Sequence, residues 1–292
     1  MFIIYSTSSN KEAATYLARK LNFGLQIAEI TNFHCKEKLL SLSSGQIEPH
    51  AIIAHELWPQ SNEKIIELLL LLDALESKGL KSATLIVPYI PYLRQDRELE
   101  KNTSTGSRMI AKLLKNTIID KIISVDCHSE RAISYFDHKF INIDPAPFFA
   151  NILQTKISNL KKSIIISPDK GSASRAKNLS KILDIPYLVL HKKRENGVVK
   201  TSGFSTQDHY KTIIIIDDIL DSGNTMRSTI EALKNSSDSI IICITHQLSN
   251  ESMNSIEKLD QNIKIISTNS TDYGQKNPGE NIWEIFCNPE LY

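Results

Sequence analysis

The sequence predicts an α/β protein of two tandem domains, each a mostly parallel sheet flanked by helices. Three observations lead there. Short apolar, β-branched runs alternate with segments of helical periodicity, and each half of the chain carries an apolar strand that ends on aspartate. The length, 292 residues, also exceeds one ordinary core at about 100–200 residues per domain.

Taken in order, Met1-Phe2-Ile3-Ile4-Tyr5, a polar Ser-Thr-Ser-Ser-Asn stretch and an alanine-rich pattern read as a first strand and helix, not as a basic leader. Residues 52–53, 84–87, 121–125, 163–166, 187–190, 212–216 and 239–245 are predicted strands, continuously apolar as strands covered on both faces are. Residues 62–78, 107–115, 172–183 and 225–235 place apolar side chains three and four apart, which is helical spacing. The pattern is βαβ throughout. Ile122-Ile123-Ser124-Val125-Asp126 and Ile213-Ile214-Ile215-Ile216-Asp217 are the matching strands of the two halves. Between them, Asp144-Pro145-Ala146-Pro147 interrupts regular structure and places the domains at 1–145 and 146–292.

Composition narrows the function classes. A formal net charge of +1 offers no basic field to nucleic acid or to an anionic membrane. The four cysteines, Cys35, Cys127, Cys243 and Cys287, form no CxxC pair, which argues against a zinc site or disulfide framework and for a reducing compartment. The most apolar stretch, residues 65–75, is interrupted by Glu67 and Asp73 and is shorter than the roughly 20 residues of a membrane span. A cytoplasmic protein is the expectation.

Five clusters lie at predicted strand ends. The sharpest runs from Asp217-Asp218 through Ile219-Leu220-Asp221-Ser222-Gly223-Asn224-Thr225 into a helix. Its carboxylates suit ribose hydroxyls, and its small residues let backbone amides curl around a phosphate at the helix N-terminus. No Gly-Lys-Ser/Thr closes it, so it is not a Walker A loop; the plain alternative is an acidic turn capped by Ser222 or Thr225. The second, Pro88-Tyr89-Ile90-Pro91-Tyr92-Leu93-Arg94-Gln95-Asp96-Arg97, offers guanidinium forks to a polyphosphate, or else is a solvated charged turn. The third and fourth are Asp126-Cys127-His128 and Ser167-Pro168-Asp169-Lys170-Gly171, the latter leading to Arg175; His128 and Asp169 are candidate direct or water-mediated Mg2+ ligands. The fifth, His191-Lys192-Lys193-Arg194-Glu195-Asn196-Gly197, is a cationic run that is either a solvated face or a mobile loop folding over phosphates.

Together with Asn62-Glu63-Lys64-Ile65-Ile66-Glu67-Leu68 entering Asp73-Ala74-Leu75, these residues resemble the ribose-phosphate diphosphokinase (phosphoribosyl diphosphate synthetase) family over nearly the whole chain, with six motifs in order at compatible spacing. The resemblance implies two phosphoribosyltransferase-like α/β domains and an active site between them, completed by a neighbouring subunit of a homo-oligomer. It implies ATP and ribose 5-phosphate as substrates and Mg2+ as cofactor. Phe33, Cys35, Glu37, Arg94, Gln95, Asp96 and His128 would contact ATP, and His128 and Asp169 would engage the metal. Asp217, Asp218, Asp221, Ser222, Gly223, Asn224 and Thr225, with Arg194, would hold ribose 5-phosphate. Lys192 and Arg194 match the family's catalytic loop. The implied reaction is in-line attack of the anomeric oxygen on the β-phosphorus of ATP, with AMP leaving.

Three positions depart from the family pattern. Phe33-His34-Cys35-Lys36-Glu37 stands where the family usually shows Phe-x-Asp-Gly-Glu, so Cys35, a weak hydrogen-bonding group, predicts looser selectivity for ATP. Ile47 replaces an arginine of the family's allosteric phosphate site, and Asn224 replaces a frequent glycine, mildly, since Asn tolerates left-handed angles. Two rival readings are a phosphoribosyltransferase that uses the 217–225 loop alone, and a non-catalytic regulatory paralogue, which the altered 33–37 stretch favours and the retained Lys192, Arg194, His128 and Asp169 oppose.

Overall fold

The computed structural model describes residues 2–43, 48–195, 198–202, 209–233, 235–271 and 279–292. The chain forms two compact units, Met1–Ile143 with Ser270–Asp272 and Ile282–Tyr292, and Asp144–Asn269 with Tyr273–Asn281. Both units are phosphoribosyltransferase-like α/β folds with mostly parallel sheets.

Unit 1 runs β1 (Ile3–Thr7), α1 (Lys11–Leu21), β2 (Gly24–Asn32), β3 (Lys38–Ser41), β4 (His50–Ala54), α2 (Ser61–Ser77), β5 (Ser82–Ile86), α3 (Gly106–Lys115), β6 (Ile119–Val125), α4 (Glu130–Ile133) and β7 (Lys139–Ile143). Its seven strands lie in the order β3-β2-β1-β4-β5-β6-β7, parallel except for the antiparallel β2–β3 hairpin. α2 buries Leu68, Leu71, Leu72 and Leu75 along one stripe at helical spacing, and these pack with Ile53, Leu85 and Ile122 of the sheet. Each such side chain contributes about 1.5–3 kcal/mol by leaving water.

Unit 2 runs α5 (Ala146–Lys156), β8 (Ser163–Ser167), α6 (Ala173–Leu183), β9 (Tyr187–Val189), β10 (His191–Glu195), β11 (Val198–Ser202), β12 (Tyr210–Leu220), α7 (Asn224–Ala232), β13 (Ser237–Gln247), α8 (Asn250–Glu257) and β14 (Ile263–Ser267). Five parallel strands lie in the order β14-β13-β12-β8-β9, and β10 pairs with β11 as a separate antiparallel ribbon. The isoleucine run of β12 explains the two cores. Successive side chains of a strand point to opposite faces, so Ile213 and Ile215 join Met226, Ile230 and Ile256 under α7 and α8. Ile214 and Ile216 join Phe149, Leu153, Ala176 and Leu179 under α5 and α6.

Three features differ from the sequence expectation. β12 does not stop at Asp217 but continues to Leu220, because Asp217, Ile219 and Leu220 stay in register with Ile244, His246 and Gln247 of β13. The units are not two continuous halves meeting at residue 145: residues 282–292 return to unit 1, where Ile282, Trp283 and Phe286 are buried and Tyr292 sets its ring edge-on to Phe23 at 5.9 Å. The β2–β3 hairpin, absent from the predicted strands, is half-exposed and lacks their continuous apolar signature.

Candidate active site

In unit 1 the segment after β5 is carried on buried anchors, Tyr89, Ile90 and Leu93, and the charged residues Arg94, Asp96 and Arg97 follow the last of them toward the surface. Gln95 N–H donates to the Tyr92 carbonyl at 3.0 Å, and Tyr92 sits at a left-handed φ of 68°. Ser107, at the start of α3, donates to the Gln95 carbonyl from both its amide at 3.2 Å and its hydroxyl at 3.0 Å. Gly106 lets α3 approach this closely: a Cβ there would lie 2.8 Å from Gln95 Oε1 and 3.0 Å from Tyr92 Cβ. Asp96 accepts from the Ser129 hydroxyl at 2.8 Å, and its carbonyl accepts from Tyr135 at 3.0 Å. A cavity of about 630 Å3 opens here, within the range of small-molecule sites.

The cavity brings together Arg94, Gln95 and His128 with Trp58, Tyr89 and Tyr92. Arg94 and His128 are exposed at its rim. Asp96 does not line it and ties the loop to α4 instead. Tyr89 stood in the second cluster, but Trp58, edge-on to it with ring centroids 6.0 Å apart, was not singled out by sequence; each follows a different strand, and no local spacing links them. His128 follows Asp126, which takes a left-handed φ of 49°. Phe33, Cys35 and Glu37 lie on the β2–β3 turn, at the far edge of the sheet from this cavity, and all three are exposed. Lys36 holds that turn at φ 69°, the conformation a glycine adopts without strain.

In unit 2, β8 and β12 deliver carboxylates side by side. Asp217 accepts from the Ser172 hydroxyl and, at 3.1 Å, from the Asp218 amide. Asp218 is buried and pairs with Arg175 at 3.3 Å, while the other guanidinium nitrogen of Arg175 donates to the Gly171 carbonyl at 3.1 Å. Asp169 accepts from the Gly171 amide at 2.9 Å. Burial first, then the charges of Asp218 and Asp169, pushes the Asp217 carboxyl up to about 7, against the hydrogen bond from Ser172 and the charge of Arg175. After Leu220 the chain exposes Asp221 and Ser222, and Gly223 at φ 74° leads into α7. The left-handed angle falls on Gly223, so Asn224 begins the helix and carries no such demand.

Ile47, Asn196 and Gly197 lie outside the described residues, as do the side chains of Lys192 and Arg194, whose backbone belongs to β10. No described helix is long and apolar enough to cross a membrane.

Comparison with known proteins decides the family. Residues 2–117 match the family model described as the N-terminal domain of ribose phosphate pyrophosphokinase, and residues 134–278 match the phosphoribosyl transferase domain. The chain belongs to the ribose-phosphate pyrophosphokinase family. Among its relatives, the ribose-phosphate pyrophosphokinases of Bacillus cereus and Corynebacterium ammoniagenes are each 28% identical over 98% of this chain and 90% of their own length. That of Campylobacter jejuni is 29% identical over 83% of this chain and 79% of its own. The fold matches the crystal structure of phosphoribosylpyrophosphate synthetase from Mycobacterium smegmatis with a TM-score of 0.86 at 22% identity, covering 99% of this chain and 97% of that one.

Proposed function

We propose that this chain is a catalytic ribose-phosphate diphosphokinase, moving diphosphate from ATP to C1 of ribose 5-phosphate and releasing phosphoribosyl diphosphate and AMP. The observation that carries the reading is that one chain holds both a sugar-phosphate loop, Asp217 to Thr225, and a separate cavity bearing Arg94, Gln95 and His128. A phosphoribosyltransferase has use for the first and none for the second.

Phosphoryl transfer asks a protein mainly to position its reactants and neutralise charge. In this reading Arg94 engages the polyphosphate, and Gln95 with the aromatic walls Trp58 and Tyr89 orients the base. Asp217, Asp218 and Asp221 orient the ribose hydroxyls, while the loop amides from Ser222 to Thr225 take the 5-phosphate. Lys192 and Arg194 stabilise the charge that develops on the transferred group. Phe33, Cys35 and Glu37 serve the nucleotide of a neighbouring copy in a homo-oligomer, which accords with their exposure away from the cavity of their own unit.

The residues fit magnesium. Asp169, Asp217 and Asp218 are oxygen donors of the kind a hard divalent cation takes, and burial, then the neighbouring charges of Asp218 and Asp169, raises the Asp217 carboxyl. In unit 2 Asp169 would engage it, and beside the cavity of unit 1 His128 is the candidate, directly or through water. When bound, the ion neutralises phosphate oxygens of the nucleotide. The four free thiols accord with a cytoplasmic, reducing setting.

The test is incubation of pure protein with ATP, Mg2+ and ribose 5-phosphate. AMP and phosphoribosyl diphosphate should appear in equal amounts. Release of ADP or free phosphate would mean a different transfer, and no turnover would restore the regulatory-paralogue reading.

A further inference from the structure

Arg227 stands in the first turn of α7, two residues past Thr225, and belongs to none of the motifs. Its guanidinium turns back under the loop. Nη2 donates to the Ser222 carbonyl at 2.9 Å, and Nη1 donates to the hydroxyl of Ser255 on α8, which itself donates to the Ser252 carbonyl at 2.8 Å. Gly223 rests directly on this arrangement: a Cβ there would stand 3.3 Å from Arg227 Nη2 and 3.4 Å from Ile256 Cδ1 and Ser252 Cβ. The inner side of the loop is therefore filled by one guanidinium and by α8, while Asp221, Ser222 and Asn224 are exposed on the other side.

Peptide geometry turns this contact into a function. In a trans peptide the carbonyl and the N–H point in opposite directions. Fixing the Ser222 carbonyl inward on Arg227 therefore aims the Gly223 N–H outward, toward the side where an anion would enter. The same guanidinium places a positive charge one peptide layer beneath that anion, in a half-buried position where the charge is less screened than at the surface.

Resting on the activity proposed above, we infer that Arg227 is a positioning residue for the 5-phosphate: it sets the Ser222–Gly223 peptide so that the Gly223 amide faces the phosphate of ribose 5-phosphate. It touches neither substrate nor the reacting atoms. Its effect belongs to sugar-phosphate binding and not to ATP or to the chemical step.

The experiment is steady-state kinetics with ribose 5-phosphate and ATP varied separately, in the wild type, Arg227→Met and Arg227→Lys. Methionine keeps the bulk and removes both donors and the charge. Arg227→Met should raise the ribose 5-phosphate KM about tenfold, the effect of one charged hydrogen bond, with the ATP KM within about twofold of wild type. Arg227→Lys restores the charge but cannot bridge Ser222 and Ser255 together, and should recover part of the loss. Should Arg227→Met fold poorly, Ser255→Ala frees one end of the guanidinium and should move the same KM in the same direction by about threefold. Equal shifts in both KM values, an unchanged ribose 5-phosphate KM, or a fall in kcat alone would overturn the role. A wild type that makes no AMP would instead overturn the activity itself, so the two failures are distinguishable.

Discussion

The two units surround the same topological feature with different contents. Strand order reverses between β1 and β4 in unit 1 and between β8 and β12 in unit 2, the points where an open α/β sheet leaves a crevice for ligands. In unit 1 the protein fills that crevice itself. His55 is fully buried, accepting at Nδ1 from the Asn10 amide at 3.0 Å and donating from Nε2 to the Lys64 carbonyl at 3.1 Å. Beside it Glu67 accepts from Ser9 at 2.8 Å and Lys38 at 2.7 Å. In unit 2 the reversal holds Asp217, Asp218 and Asp169 beside an exposed loop. In unit 1 the paired groups, the Lys38–Glu67 ion pair among them, close the crevice, whereas in unit 2 the carboxylates border an exposed loop. In unit 1 the cavity lies instead beyond β5 and β6.

The largest way to break this contrast is to remove a cation that pairs with the buried acid of unit 2. Arg175→Met leaves Asp218 buried without its ion-pair partner, and removing one member of such a pair costs about 3–5 kcal/mol. Urea unfolding at pH 7 should show a loss of about 3 kcal/mol. A loss below about 1 kcal/mol would mean that other contacts hold the carboxylate equally well.

The network of unit 1 should answer to pH. Burial first, with the charge of Lys64, lowers the His55 ring to about 4, while the Lys64 carbonyl and the Glu67 charge oppose the shift. An unfolded histidine titrates near 6.5. As pH falls the unfolded chain takes the proton first, so stability is present above pH 6.5 and is lost toward pH 4. The loss should be about 2 kcal/mol between pH 6.5 and 5. His55→Gln, able to accept from Asn10 and donate to Lys64, should flatten that slope. Parallel slopes in variant and wild type would place the titration elsewhere.

A smaller effect sharpens the contrast between the two loops. The sugar-phosphate loop is held from beneath by Arg227 and α8, whereas the nucleotide loop leans on α3 through Gly106. Gly106→Ala forces Gln95 or Tyr92 aside, and the ATP KM should rise about fivefold, roughly 1 kcal/mol, with the ribose 5-phosphate KM unchanged. Equal changes in both would show that α3 supports the whole fold and not this loop.

These differences also explain what sequence could reveal. The unit 2 site was legible because its residues are contiguous and their chemistry lies in backbone amides and adjacent acids. Even there, the extension of β12 to Leu220 came from pairing with β13, which no local pattern encodes. The cavity of unit 1 was half legible: Tyr89, Arg94, Gln95 and His128 stood in motifs, but Trp58 did not, and it meets Tyr89 only in three dimensions. Asp96, read as a nucleotide contact, accepts from Ser129, a contact made 33 residues away that its own motif does not announce. The closed network of Asn10, His55, Glu67 and Lys38 left no signal, since each residue alone is an ordinary polar side chain. Residues 191–195, read as a solvated cationic face or a loop, form a strand with 198–202 whose unbroken run of charged residues hides its strand character.

The least of the expected effects concerns the turn between β2 and β3. Its backbone closes through Phe33 N–H to the Glu37 carbonyl at 2.8 Å and Lys36 N–H to the Phe33 carbonyl at 2.9 Å, with Lys36 at φ 69°. A residue bearing a Cβ costs about 1–2 kcal/mol in that region, and glycine removes the cost while adding about 0.5–1 kcal/mol of unfolded-state entropy to overcome. Lys36→Gly should therefore stabilise the protein by about 0.5 kcal/mol, a rise of roughly 1–2 °C in Tm. The shape of the turn should not change, since the substitution relieves a strain already accommodated. Nucleotide selectivity should then depend on Cys35 alone: Cys35→Asp, with its stronger acceptor, should raise the preference for ATP over GTP equally whether or not Lys36→Gly is also present. A Lys36→Gly variant of lower Tm would show that the lysine side chain contributes contacts outweighing its backbone strain. A selectivity change confined to one of the two backgrounds would show that the turn's path, and not its acceptor, sets base recognition.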